Sequence, residues 1–316
     1  MFLDTFFIMF DAIFRLFLIT LAAGILVRKG IVSQEQIKGL SHFTVTVLVP
    51  CLILVKTVTV FNPSGFKFWW LLPLAGILMV LLGLGSGYLL FARQLPAKNH
   101  WLPMGSMQNA VYIALPIGKL LYPGDFDLFA LYCFLLILGY SPILWSVGKV
   151  LISGDRSARI SPADFITPPL TATLLSMVLV FTGLSSWIPT SLLNATEMLS
   201  QATVPLAVFI LGATLGSISL TDIPPLSDIA RVALVKYACI PLAAYTILRL
   251  SGLGTTYPLV SDLIMIQASA PPATNLILMV KNYGGDAQAN GSMMMIQYFI
   301  CMLAMPLWMT FWQLTR

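Results

Sequence analysis

Charge is what this sequence has least of. Only 9% of its 316 residues are Asp, Glu, Lys or Arg, where a soluble domain carries about a quarter. With 58% hydrophobic residues and a mean hydropathy of +0.91, most of the surface has to face lipid. The net charge of +5 is spread over short connections rather than gathered into a patch, which excludes a nucleic-acid-binding surface.

Cysteine is nearly as scarce. Cys51, Cys133, Cys239 and Cys301 stand singly in apolar segments, as buried small hydrophobes do, and form no disulfide framework. His42 and His100 are far apart, without H-x-x-x-H or H-E-x-x-H spacing, so no zinc or other metal site is expected. The missing G-x-x-x-x-G-K-[ST] loop removes ATP as a direct energy source. The apolar runs also lack DDxxD, HExxH, GxGD and Ser/His pairings, which argues against an intramembrane enzyme. No cofactor is expected. A cleavable leader would begin with basic residues. Here Asp4 and Asp11 come first and Arg28-Lys29 follow, the mark of a retained helix.

What the chain does have is long apolar runs. A membrane helix needs about 20 such residues, and reading runs against breakers gives ten candidate spans. They cover about 5–27, 41–60, 68–91, 103–121, 127–152, 164–183, 190–217, 228–250, 257–281 and 289–313. The expected fold class is an all-α integral membrane protein. Basic residues orient it. With the N-terminus outside, the cytoplasmic connections collect Arg28, Lys29, Lys38, Arg93, Lys98, Lys149, Arg156, Arg159, Arg231 and Lys281. The outer side is left with Lys56, Lys67, Lys119, Arg249 and Arg316. A multi-pass cell-membrane protein with both termini outside is expected.

The two halves echo each other. Pro50 in "TVLVPCLIL" corresponds to Pro205 in "QATVPLAVF"; Pro50 and Pro116 are 66 residues apart, as are Pro205 and Pro271. The polar stretch "SGDRSARISPAD" divides the chain, giving repeats over 1–155 and 156–316. Five spans per half is an odd number, so the second repeat would be inverted. That is the 5+5 pattern of secondary transporters, with broken crossover helices 4 and 9 meeting near the midplane.

The strongest break is "ASAPPATNLILMV", where Pro271 and Pro272 cannot donate to the carbonyls of Gln267 and Ala268. Pro116 in "QNAVYIALPIG" is expected to free the carbonyl of Tyr112 in the same way. A half-helix starting near Thr274 and Asn275 would aim free N–H groups at an anion inside the membrane. Nearby polar residues make up the candidate site: Gln108, Asn109, Tyr112, Ser269, Thr274 and Asn275, with Thr46 and Gln201 one turn before Pro50 and Pro205. Among intramembrane ionisable groups, Asp262 is the candidate for proton coupling, Asp11 and Arg15 are spaced to pair, and Lys236 has no sequence partner.

The segments "GIVSQEQIKGLSHFTVTVLVPCLIL", "SMQNAVYIALPIG", "PPLTATLLSMVL", "VPLAVFILGATL" and "PPATNLILMVKNYGGDAQ" together resemble the auxin efflux carrier family. Its members include plant auxin exporters and bacterial malonate and malate carriers. The resemblance implies a scaffold of spans 1, 2, 6 and 7, a transport domain of spans 3–5 and 8–10, elevator-like alternation and a homodimer. It places the family's crossover asparagine on Asn109 and its second crossover proline on Pro271. The chain departs from the family at Asn109-Ala110-Val111, where Asn-x-Gly is usual, and lacks the long central loop of the plant proteins. The expected function is therefore secondary transport of small organic carboxylates. A sodium-coupled carrier of bile-acid type and a membrane sensor stand as alternatives.

Overall fold

The computed structural model describes residues 2–153, 160–218 and 222–316. The boundary at 155/156 and the basic residues Arg156 and Arg159 lie outside them. The described residues are helical throughout, with one isolated β-bridge as the exception.

Among the described residues, seven helices are long and apolar enough to cross a membrane: Phe2–Arg28, Gln34–Val60, Leu71–Gln94, Phe126–Ile152, Thr190–Gly216, Leu226–Ser251 and Ala287–Thr315. Two shorter apolar helices are Pro168–Phe181 and Pro258–Ala268. The chain is a multi-pass membrane protein. Its outward side chains agree: Leu89, Trp187 and Leu250 are 76%, 83% and 85% exposed, which only an apolar solvent tolerates in such numbers.

In chain order, α1 is Phe2–Arg28. Helices α2 (Gln34–Phe43) and α3 (Val49–Val60) are joined by the π-turn Thr44–Leu48. A reciprocal cap starts α2, with the Ser33 hydroxyl accepting from Gln36 N and the Gln36 side chain accepting from Ser33 N. Next come α4 (Leu71–Phe91), then α5 (Trp101–Ser106) and α6 (Ala114–Leu121), two short helices on one interrupted path. Helices α7 (Phe126–Ile143) and α8 (Lys149–Ser153) flank the π-turn Leu144–Gly148.

The second half runs α9 (Pro168–Phe181), α10 (Thr190–Ser200) and α11 (Thr203–Gly216). Helices α12 (Leu226–Leu234) and α13 (Ile240–Ser251) flank the π-turn Val235–Cys239. After the single turn α14 (Leu253–Thr256) come α15 (Pro258–Ala268) and α16 (Asn275–Tyr283), again interrupted, and α17 (Ala287–Thr315).

The prolines act differently from the sequence expectation. Pro116 sits in the first turn of α6, downstream of the break it was expected to cause. First-turn N–H groups have no intrahelical acceptor, so proline costs little there. Pro205 sits likewise in the first turn of α11, after an interruption at Gln201–Ala202. Pro50 and Pro241 each follow a π-turn, and the residue before each donates five residues back, Val49 to Thr44 and Ile240 to Val235. The widened turn makes room for the ring. The carbonyl that Pro241 leaves without its helical donor, that of Tyr237, accepts from the Trp308 indole at 2.7 Å.

Two sets of close helix contacts stand out, joined by α1 on α17 and α3 on α7. Helix α1 lies on α11, and α3 packs against α9 and α10. A Cβ on Gly216 would overlap the Cα of Gly24, and one on Gly212 would overlap the Thr20 backbone, so small residues set how closely α1 and α11 cross. In the other group α4 packs on α5 and α7, α5 on α12, and α15 on α17. A Cβ on Gly139 would overlap the Pro73 carbonyl.

Candidate binding site

The two interruptions meet. Helix α5 gives way at Met107 and α15 at Ser269, and the extended segments beyond them pair antiparallel, Gln108 opposite Pro272. Asn109 N donates to the Pro271 carbonyl at 2.8 Å, and Ala273 N to the Met107 carbonyl at 3.1 Å. Residues 106 to 110 and 268 to 274 are all buried, so water cannot repair these backbones.

Buried backbone groups seek partners, and here several carbonyls find them. The Gln108 carbonyl accepts from the Tyr140 hydroxyl at 2.7 Å. The Ala110 carbonyl accepts from Gln267 Nε2 and Cys133 Sγ, each at 3.0 Å. The Pro272 carbonyl accepts from the Tyr298 hydroxyl at 3.1 Å. The Gln267 carbonyl, expected to be open, accepts from Ala270 N at 3.3 Å. The donors are treated differently. Among the described residues no acceptor reaches the backbone N–H of Thr274 or Asn275 at the start of α16. The start of α16 therefore presents open donors, and the helix N-terminus adds its positive dipole end.

Two cavities flank these donors. One, of about 90 Å³, is lined by Gln108, Asn109, Tyr112, Tyr140, Trp145, Thr167, Thr274 and Asn275 among others. The second, of about 250 Å³, is lined by Gln34, Lys38, Ser41, Tyr112, Thr214, Thr274 and Asn275 among others. A single water occupies roughly 10–15 Å³ in this measure, so each has room for more than solvent. Tyr112, Thr274 and Asn275 separate the two.

The sequence-predicted residues divide accordingly. Gln108, Asn109, Tyr112, Thr274 and Asn275 come together at the cavities. Asn109 is fully engaged: its Nδ2 donates to the Tyr298 hydroxyl at 2.6 Å and its Oδ1 accepts from Tyr112 N at 3.0 Å. The Asn275 carboxamide, by contrast, has no hydrogen-bond partner among the described residues. The Tyr112 hydroxyl and Gln108 Oε1 are buried without a well-formed hydrogen bond. Ser269 is buried but donates back to the Met265 carbonyl at 2.8 Å. Thr46 donates to the His42 carbonyl at 2.6 Å, and Gln201 is exposed at the α10–α11 junction. These three line neither cavity.

Asp262 is 2% exposed and heavily bonded. It accepts from the Tyr122 hydroxyl at 2.9 Å, the Trp312 indole at 2.8 Å and Arg316 at 2.8 and 2.9 Å. Asp11 and Arg15 pair on the exposed face of α1. Sequence reasoning missed Tyr140, Gln267 and Tyr298, which satisfy the broken backbones, and Lys38 at the second cavity. The aromatic and amide residues sit in otherwise apolar runs, where only a partner brought from elsewhere gives them meaning.

A family model described as membrane transport protein matches residues 8–162 and 157–309. An uncharacterized transporter of Methanocaldococcus jannaschii is 25% identical over 291 residues, spanning 88% of this chain and 91% of that relative. With both matches running over nearly the whole length, the chain belongs to the membrane transport protein family, the auxin efflux carrier family that its motifs resemble.

Proposed function

We propose that this protein is an elevator-type secondary transporter of small organic carboxylates, with the anion held at the crossover against the α16 N-terminus. The observation that carries this is the start of α16 at the paired breaks: the Thr274 and Asn275 amides have no acceptor among the described residues, and the Gln108, Ala110 and Pro272 carbonyls beside them are bonded within the protein. A carboxylate is the group such donors favour. Asn275 contacts it directly, and Tyr112 and Thr274 shape the pocket, while Asn109 holds the break in form.

In this reading the seven long helices, α9 and the two interrupted pairs are ten spans in a 5+5 inverted repeat. The group of α1, α2–α3, α9 and α10–α11 is the scaffold and the remainder moves. The cell membrane is the site of action, with both termini outside and a homodimer as the working unit. Lys38 then lies on the cytoplasmic side, so the larger cavity is the inner approach and its cation attracts the anion.

The test is a thermal-shift screen of purified protein against malonate, malate and indole-3-acetate, followed by counterflow in proteoliposomes with and without sodium. Binding to the folded state alone raises apparent stability by mass action. An acid that shifts melting and exchanges across the bilayer supports the reading. Binding without exchange makes the protein a sensor, and sodium-dependent exchange makes it a bile-acid-type carrier.

A further inference from the structure

Lys236 is a cation in the wrong place for a purely structural residue. It lies in the π-turn Val235–Cys239 and is 1% exposed. Its Nζ donates to the Met107 carbonyl at 3.1 Å, and among the described residues it has no carboxylate partner. Another buried lysine, Lys56, meets Glu197 at 2.8 Å and Asp127 at 3.0 Å. An ammonium out of water with a single neutral acceptor is costly to hold charged, and such groups neutralise or find an anion.

The position is as telling as the isolation. The Met107 carbonyl ends the first half-helix of one break, and it also accepts Ala273 N from the other. Lys236 thus grips the bonded pair that fixes the crossover. Gln108, the next residue, lines the cavity beside the free amides. One paired segment thus links Lys236 to the cavity lining.

We infer that Lys236 carries the coupled proton: it is protonated as a carboxylate enters the crossover and returns that proton to water as the carboxylate leaves. This rests on the transporter reading above. The step balances simply. An N–H bond forms at Nζ with a proton drawn from the side on which the anion enters. It breaks on the opposite side, so one carboxylate charge and one proton cross together. A buried anion supplies the counter-charge that the resting site lacks.

Among the described residues, no other charged side chain is recorded against Lys236. Helices α4 and α5, both packed on this π-turn, bring no charged side chain to it. Helix α17 brings the Cys301 thiol, Gln297, whose carbonyl accepts from Tyr237, and the Tyr298 hydroxyl, which bonds the Pro272 carbonyl. On its own helix the charged groups are Asp228, held by Lys98 at 2.7 Å and by the Trp101 indole, Arg231, bonded to Gln94, and Arg249, which donates to the Thr315 carbonyl at the far end of α13. Asp262, the sequence candidate for this task, already has Arg316 as its counter-ion.

The experiment has two arms. In the first, protein labelled with 15N at lysine Nζ is followed by NMR, and Lys236→Arg identifies the resonance by its loss. That resonance is expected to pass between ammonium and amine over the pH range in which the protein stays folded. A resonance unchanged across that range overturns the proposal without touching the transporter reading. In the second, proteoliposomes are given a one-unit pH gradient, worth about tenfold accumulation for one coupled proton, with whichever of malonate, malate or indole-3-acetate shows counterflow. Lys236→Met is expected to lose the accumulation, as is Lys236→Arg, which retains a fixed charge should the Met variant fold poorly. Either variant accumulating the acid as the wild type does overturns the proposal. If the wild type exchanges none of the three acids, the transporter reading fails, and the NMR arm still decides whether Lys236 binds a proton.

Discussion

Asn109 and Asn275 look equivalent in the sequence, one polar residue beside each break. In the structure one is spent and the other is open. Asn109 uses both ends of its carboxamide within the protein, on Tyr298 and on Tyr112 N, so Asn109→Ala is expected to lower stability by about 1–3 kcal/mol, the cost of stranding buried partners. Tyr298→Phe should lose a similar amount, because the Pro272 carbonyl then has no donor. Thermal melting in detergent checks both, and an unchanged melting temperature in both would show that the network holds nothing. Asp262 belongs to the same scale. Its substitution by Asn leaves Arg316 without its counter-ion and weakens the clamp on Tyr122 and Trp312. The expected outcome is a lower melting temperature with pH-driven uptake retained in the surviving protein; lost uptake at unchanged stability would return the proton role to Asp262.

At the scale of elements, the breaks are held by each other. Closing α15 and α16 into one helix would sacrifice Asn109 N to Pro271, Ala273 N to Met107 and Tyr298 to Pro272, each worth about 0.5–1.5 kcal/mol. Replacing Pro271 and Pro272 together by alanine is therefore expected to leave the break open. It should cost about 1–2 kcal/mol through a freer unfolded chain and weaken anion binding only modestly. Higher stability with abolished binding would mean that the helix had closed. Melting and thermal-shift titration together decide it. This is also where the sequence was least legible. The apolar runs announced the long helices, and the paired prolines announced the second break. The first break runs from Met107 to Ile113 through "QNAVYI", which contains no Gly or Pro. Nothing local interrupts the helix there; the interruption is bonded to a segment more than 150 residues away, and no pattern within one window reports that. Lys38 was visible only as one of the basic residues that set orientation, because its cavity is shared with α11 and α16.

For the whole molecule, the proposed scaffold and moving groups touch through an ion pair as well as apolar packing. Lys56 on α3 bonds Glu197 on α10 within its own group and Asp127 on α7 across to the other. If the groups slide during transport, the first pair survives and the second breaks. Glu197 and Asp127 are partly solvated, at 32% and 56% side-chain exposure, so Lys56→Met should change stability by no more than about 1 kcal/mol while altering the initial rate of exchange. An unchanged rate would place the sliding surface elsewhere. The anion is proposed to rest where the amides are bare, and Asn275 offers an open carboxamide there on α16 itself. The decisive measurement is the concentration dependence of carboxylate counterflow by Asn275→Ala and wild type at equal folded protein in proteoliposomes. Loss of a hydrogen bond to a charged ligand costs about 1.5–3 kcal/mol, so half-maximal exchange is expected to need about 10-fold to 100-fold more acid. Identical curves for the two proteins would contradict the crossover site.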